Sequence, residues 1–125
     1  MHPTLTKLNL KPGDRAFVEG APEGFAPLLA RMVKEGIEVA PKLTGQFRYL
    51  QIFATKKAVL LRRVPALRKA LEPGGMLWIS YPKGGALGTD LNRDILAAAL
   101  LDLGLDAVRQ VAIDDVWSAL RFKAV

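Results

Sequence analysis

Residues 15–29 read Arg-Ala-Phe-Val-Glu-Gly-Ala-Pro-Glu-Gly-Phe-Ala-Pro-Leu-Leu, and this stretch decides the fold. Arg15 to Glu19 is a short apolar run after Lys11-Pro12-Gly13-Asp14, whose proline and glycine mark a turn. Such a run suits a strand covered on both faces. Gly20 to Gly24 then makes a turn, and Phe25 to Glu35 places Phe25, Leu28, Leu29 and Met32 at helical spacing before Gly36 as a stop. Strand, glycine turn and helix in that order open many ligand-binding α/β domains. Here Pro22 and Glu23 stand between the two glycines.

Outward from this unit the pattern continues. Ile37 to Ala40 is a second short strand closed by Pro41, and Phe47 to Ala54 is a longer one rich in aromatic and branched side chains. Ala58 to Leu71 reads as helical, with Leu60, Val64, Leu67 and Leu71 on one face. Pro65 inside it predicts a kink, or two short helices. Glu72 to Gly75 ends that segment and Met76 to Ser80 is the next strand. After a Tyr-Pro-Lys-Gly-Gly-Ala-Leu-Gly loop, Thr89 or Asp90 is expected to cap a helix reaching about Leu103 and stopping at Gly104. Ala107 to Ile113 and Trp117 to Val125 complete the chain as two strands around Asp114-Asp115.

The order β-α-β-β-α-β-α-β-β predicts a single three-layer α/β domain. Its sheet has about six strands, mainly parallel, with a C-terminal antiparallel hairpin. The gap between Ala40 and Phe47 is too short for a crossover helix.

Composition narrows the chemistry. The 125 residues contain no cysteine, which removes disulfides, thiolate metal sites and a cysteine nucleophile. The one histidine, His2, sits in an N-terminal end expected to be frayed, which argues against a histidine metal site or a Ser-His-Asp triad. No segment has the length or apolarity of a membrane span or a signal peptide, so the expected setting is the cytoplasm.

The net charge of +6 is unevenly spread. Val39 to Leu71 holds Lys42, Arg48, Lys56, Lys57, Arg62, Arg63, Arg68 and Lys69 with no acidic residue, whereas Asp90 to Asp115 is predominantly acidic. A basic stretch can meet phosphates, and also serves as an ordinary solvated surface. No aromatic residues interleave with these charges as a single-strand platform requires, so the solvated surface is the leading reading.

Three segments carry a family resemblance. Leu10 to Gly20 (LKPGDRAFVEG) resembles the lead-in and first strand of class I, S-adenosylmethionine-dependent methyltransferases. Leu67 to Ser80 (LRKALEPGGMLWIS) resembles their later helix, turn and strand, and the closing VWSALRFKAV their antiparallel hairpin. The whole is similar to a group of small bacterial proteins of unassigned activity with a shortened methyltransferase-like Rossmann core. That group has similar APEG, YPK, TDL-x-RD and VWSALRF segments.

The resemblance implies a cofactor loop after the first strand and an acidic residue after the second. This chain departs at both places, with Ala21-Pro22-Glu23 in the loop and Val39-Ala40-Pro41-Lys42 after the second strand. No catalysis and no cofactor are therefore expected, with a small S-adenosylmethionine-dependent methyltransferase as the alternative. A nucleic-acid-binding module using residues 42–69 is a second alternative.

In open α/β sheets ligands bind beyond the carboxyl ends of the strands. Those ends collect Glu19, Gly20, Glu23 and Gly24, then Thr55 and Lys56, then Ser80 and Lys83, with Asp90 and Arg93 at the next helix. These are the candidate residues for a small polar or anionic ligand or a protein partner. Lys56, Lys83 and Arg93 are the expected counter-charges for Glu19 and Glu23. Asp90 is read first as a helix cap and Lys83 equally as an exposed loop lysine. Tyr81-Pro82 is a place where a cis bond is affordable. Trp78 and Trp117 are expected in the core, and Asp114-Asp115 in a turn with no metal. A homodimer through an edge strand would cover an otherwise open sheet edge.

Overall fold

A computed structural model describes residues 1–125. Its elements are α1 (Pro3–Lys7), β1 (Arg15–Glu19), α2 (Ala26–Lys34), β2 (Glu38–Val39), β3 (Phe47–Phe53), α3 (Lys57–Lys69), β4 (Leu71–Pro82), α4 (Arg93–Leu101), β5 (Leu105–Ala112) and β6 (Trp117–Ala124). They form one six-stranded sheet in the order β2-β1-β3-β4-β6-β5. The first four strands are mutually parallel, and β6 joins β4 and β5 in antiparallel register. The predicted order of elements, the missing crossover between β2 and β3 and the closing hairpin are all present.

Two apolar layers sandwich the sheet. Leu60, Val64 and Leu67 of α3 pack with Leu96 and Leu100 of α4 on Leu50, Ile52, Leu77, Ile79, Leu120 and Phe122. On the opposite face Met32 of α2 joins Leu5, Leu8 and Leu10 over Tyr49, Met76 and Trp78. Successive residues of β3 and β4 thus supply opposite faces, as alternating strand geometry requires. Without a crossover helix, the link from β2 to β3 runs back over the α3 layer, where Leu43 packs against it.

The N-terminal segment is part of this core, contrary to the frayed end expected. Pro3 opens α1, and His2 Nδ1 accepts a hydrogen bond from the Thr4 amide at 3.1 Å. Leu5 and Leu8 are completely buried. The segment is then locked by Asp14, whose carboxylate accepts from the Lys11 amide and from Arg48 Nη1. A five-residue helix succeeds here because burial of Leu5, with Leu8 and Leu10 just beyond it, stabilises the segment rather than helix propensity.

Other boundaries also differ from expectation. α3 is one helix through Pro65, which lies exposed and costs the helix a single internal hydrogen bond. Glu72 to Gly75 belong to β4 as an irregularity rather than ending a segment. Between the pairs Phe47–Leu71 and Tyr49–Met76 the ladder shifts register. Gly75 permits this, because a Cβ there would lie 3.1 Å from the Arg48 carbonyl oxygen. The helix cap is Asn92, whose side chain accepts from the Ile95 amide at 2.8 Å, and α4 ends at Leu101. No helix is long and apolar enough to cross a membrane.

If α1 is a core element, Leu5→Ala should lower unfolding free energy by about 2–5 kcal/mol, the range for truncating a buried leucine. Denaturant unfolding measures it, and a change within about 0.5 kcal/mol would mean a segment outside the cooperative unit.

Candidate functional site

From β1 the chain proceeds to β2 on one side and then to β3 on the other, so the topological switch point lies between the carboxyl ends of β1 and β3. A cavity of about 290 Å³ opens there. Its wall is Glu19 and Gly20 from β1, residues 52–56 from β3 and its exit, and Val59 and Arg63 from α3. Four of the sequence-predicted residues, Glu19, Gly20, Thr55 and Lys56, therefore come together.

Gly20 is dictated by this geometry. Its φ is +71°, and a Cβ would sit 3.0 Å from the Phe53 carbonyl oxygen, so the turn needs glycine both for conformation and for space. The chain then follows Pro22 into a single 3₁₀ turn, Glu23–Phe25, which leads into α2. Phe25 is buried and folds back over the end of β3. Its ring lies 4.9 Å from that of Phe53, which in turn meets Trp117 edge-on at 5.1 Å. On the α2 face, aromatic packing thus fills the space beyond the strands. The cavity is confined to the α3 face.

The dominant polar contact was not anticipated. Arg63 donates from Nε to Glu19 Oε2 at 2.7 Å and from Nη2 to Glu19 Oε1 at 2.6 Å, a two-pronged fork. The hydrogen bonds to Glu19 raise the Arg63 pKa above its ordinary value, desolvation opposes the rise and direct charge attraction adds to it. Both side chains remain partly solvated, at 39% and 25% exposure, so the pair contributes about 1 kcal/mol or less to stability. The pair neutralises the acidic group nearest the switch point. The sequence signal for Arg63 was only general: it belongs to the basic stretch and to the helix that follows β3.

The other expected partners of Glu19 are engaged elsewhere. Lys56 Nζ donates to the Gly88 carbonyl at 2.7 Å, and Lys83 Nζ to the Asp114 carbonyl at 2.7 Å. Arg93 is exposed against Asp94, beside Asn92 and Gln110. Glu23 and Gly24 are solvent-exposed and do not line the cavity.

Asp90 does cap a helix, but a different one. Its Oδ1 accepts from the Lys57 amide at 2.8 Å, at the start of α3, while Thr89 Oγ1 donates to the Thr55 carbonyl at 2.6 Å. Residues 88–90 therefore stitch the loop after β4 onto the exit of β3. Asp114 closes the β5–β6 turn by accepting from the Val116 and Trp117 amides, as expected of a turn residue. The Tyr81–Pro82 bond is trans, since no peptide bond in the chain is cis.

Ser80 departs furthest from expectation. It is completely buried, and its hydroxyl meets Gln51 Nε2 at 3.0 Å, while Gln51 Oε1 accepts from Tyr49 at 2.6 Å. Tyr49 and Gln51 lie two residues apart on β3 and Ser80 diagonally across on β4, so Ser80 belongs to an internal polar string. The basic stretch is also divided. α3 returns from the carboxyl to the amino end of the sheet, which puts Lys56 and Lys57 at one end and Arg68 and Lys69 at the other.

Comparison with known proteins agrees on the fold class. No family model and no curated protein matches the chain. Solved structures do. A SAM-dependent methyltransferase from Aquifex aeolicus superposes with a TM-score of 0.70 at 17% identity, over 97% of this chain and 87% of that one. A ribosomal protein L11 methylase from Lactobacillus delbrueckii subsp. bulgaricus gives 0.62 at 13% identity, over 97% and 76%. The glycopeptide N-methyltransferase MtfA, complexed with sinefungin, gives 0.58 at 13%, over 97% and 83%. The chain therefore has the methyltransferase-like Rossmann fold.

The buried string has a consequence for alkaline stability. Burial raises the Tyr49 pKa well above 10.0. Above pH about 10 an unfolded tyrosine ionises while buried Tyr49 keeps its proton, so its contribution is complete below that pH and declines as pH rises towards the folded value. Tyr49→Phe should cost about 1–3 kcal/mol at pH 7 by leaving buried Gln51 Oε1 without its donor. Its deficit against wild type should shrink by up to about 1.4 kcal/mol per pH unit above 10. Guanidinium unfolding from pH 7 to 11 measures both, and a pH-independent deficit would contradict the assignment.

Proposed function

We propose that this chain is a methyltransferase-fold binding domain that does not transfer methyl groups, and that its carboxyl-edge cavity receives a small polar or anionic ligand. The observation that carries the reading is the Arg63 fork on Glu19. It turns the acidic corner of the switch point into a neutralised pair, with Thr55 and Lys56 on the same wall.

The residues present do not suit S-adenosylmethionine. The exit of β2 offers Val39-Ala40-Pro41-Lys42 and no carboxylate for a ribose. Pro22 has no amide hydrogen to offer in the loop. Phe25 packs on Phe53 beside the switch point. The cavity of about 290 Å³ lies at the lower limit of the roughly 300–1,000 Å³ of drug-sized ligand sites. A smaller ligand with one anionic group fits the volume and the cationic side of the wall.

One observation favours the methyltransferase alternative. Gly20 keeps a left-handed turn that brings backbone against the end of β3, which is how such loops approach a cofactor.

Calorimetry of the purified chain with S-adenosylmethionine and with S-adenosylhomocysteine separates the two. The expected result is no binding of either in the micromolar range. A one-to-one isotherm with either compound that disappears on Gly20→Val, in a variant still folded by circular dichroism, would establish the alternative instead.

A further inference from the structure

The largest cavity in the molecule, about 570 Å³, lies at the opposite end of the sheet from the cavity described above. Its origin is the irregular start of β4. Between the pairs Phe47–Leu71 and Tyr49–Met76, β3 advances two residues and β4 five. Pairing of β4 with β6 begins only at Leu77–Phe122, so Lys123 and Ala124 of β6 pair with β5 alone. The two strands diverge there, and the wedge between them is the cavity.

Its wall carries Arg48, Arg68, Arg121 and Lys123 against a single acidic residue, Glu72. The three guanidinium groups are each held by one nitrogen. Arg48 Nη1 donates to Asp14 and to the Asn9 carbonyl, Arg121 Nη1 to Asn9 Oδ1, and Arg68 Nη1 to the Leu103 carbonyl. A guanidinium has five N–H donors in a rigid plane, so Nε and Nη2 of all three remain without a partner in the chain. Lys123 makes no hydrogen bond through its ammonium group and is exposed. Even with Asp14 and Glu72 set against them the wall stays cationic.

We infer that this wedge is a second binding site, for a small polyanion bearing several phosphate groups, such as an oligophosphate or a nucleoside polyphosphate. Planar donors fixed at one nitrogen and free at the others match the oxygens of phosphate and lose little entropy on binding. The volume exceeds what one carboxylate or phosphate would occupy, and the separated cations suit charges distributed along a ligand. The wedge shares no lining residue with the carboxyl-edge cavity, so the two sites stand or fall separately.

Inorganic triphosphate is the probe, titrated calorimetrically into the full chain at low and at physiological salt. One-to-one binding in the micromolar range is expected, weakening as salt rises. The double variant Arg68→Gln/Lys123→Gln should bind at least tenfold more weakly, and Lys123→Gln alone, at an exposed position, should weaken binding while leaving the melting temperature unchanged. Arg63→Gln, at the other end of the sheet, should leave the affinity within twofold of wild type. No heat at millimolar triphosphate would overturn the inference, as would an equal loss in Arg63→Gln. Tenfold tighter binding of a single-stranded oligonucleotide than of triphosphate would replace the small ligand with a nucleic acid.

Discussion

The carboxyl end of the sheet is governed by one pair of charges. Glu19 ends β1, Arg63 projects from the second turn of α3, and their fork ties the first strand to a helix that starts only after the third. Gly20 can then turn directly against the Phe53 carbonyl, and the chain continues through Pro22 so that Phe25 covers the end of β3. In an unpaired state Glu19 would be a partly buried carboxylate facing the switch point, free to hold a cationic or hydroxyl-bearing ligand. Paired, it is neutralised and fixed, and the cavity beside it keeps Lys56 as a cationic wall. The methyltransferase-like fold and the proposed change of ligand are thus compatible, because the fold resides in the sheet and the ligand chemistry in a few residues at its edge.

The helix that supplies Arg63 also distributes charge over the molecule. Because α3 runs antiparallel to the strands it connects, the basic stretch that looks continuous in sequence is carried to both ends of the sheet. Lys56, Lys57 and Arg63 serve the carboxyl edge, while Arg68 joins Arg48 and Arg121 at the wedge. A count of charge along the chain suggests one surface; the crossover makes two. Each has its own geometry, a smaller cavity with a closed ion pair at one end and a larger wedge with unfilled donors at the other.

Most of the architecture was legible because periodicity and punctuation agree. Phe47 to Phe53 is apolar and branched, Leu60, Val64 and Leu67 repeat at helical spacing, and Gly36 and Gly104 end their segments, so local preference and global fold coincide. The errors fall where tertiary contacts decide. α1 is too short to announce itself, although His2 and Pro3 were a cap and a first-turn proline. Glu-Pro-Gly-Gly carries turn residues inside a strand, because a β irregularity uses the same residue types as a loop. Asp90 looked like the cap of the helix that follows it, yet caps the helix before it, a contact between loops that no local spacing encodes. At the site, the strand-end rule located Glu19, Gly20, Thr55 and Lys56. It could not say that Ser80 is buried, because β4 runs on to Pro82 and is covered on both faces from Met76 onwards.

The central claim, that Arg63 closes on Glu19 and thereby sets the character of the edge, is tested most directly by nuclear magnetic resonance of the arginine Nε–H groups. In the fork, Arg63 Nε–H is held by a carboxylate and should give a resolved signal that exchanges with water more slowly than those of exposed, unpaired arginines such as Arg62 and Arg109. Glu19→Gln should remove that protection selectively. An Arg63 signal that exchanges as fast as the exposed ones in the wild-type chain, or that is unchanged in Glu19→Gln, would contradict the account.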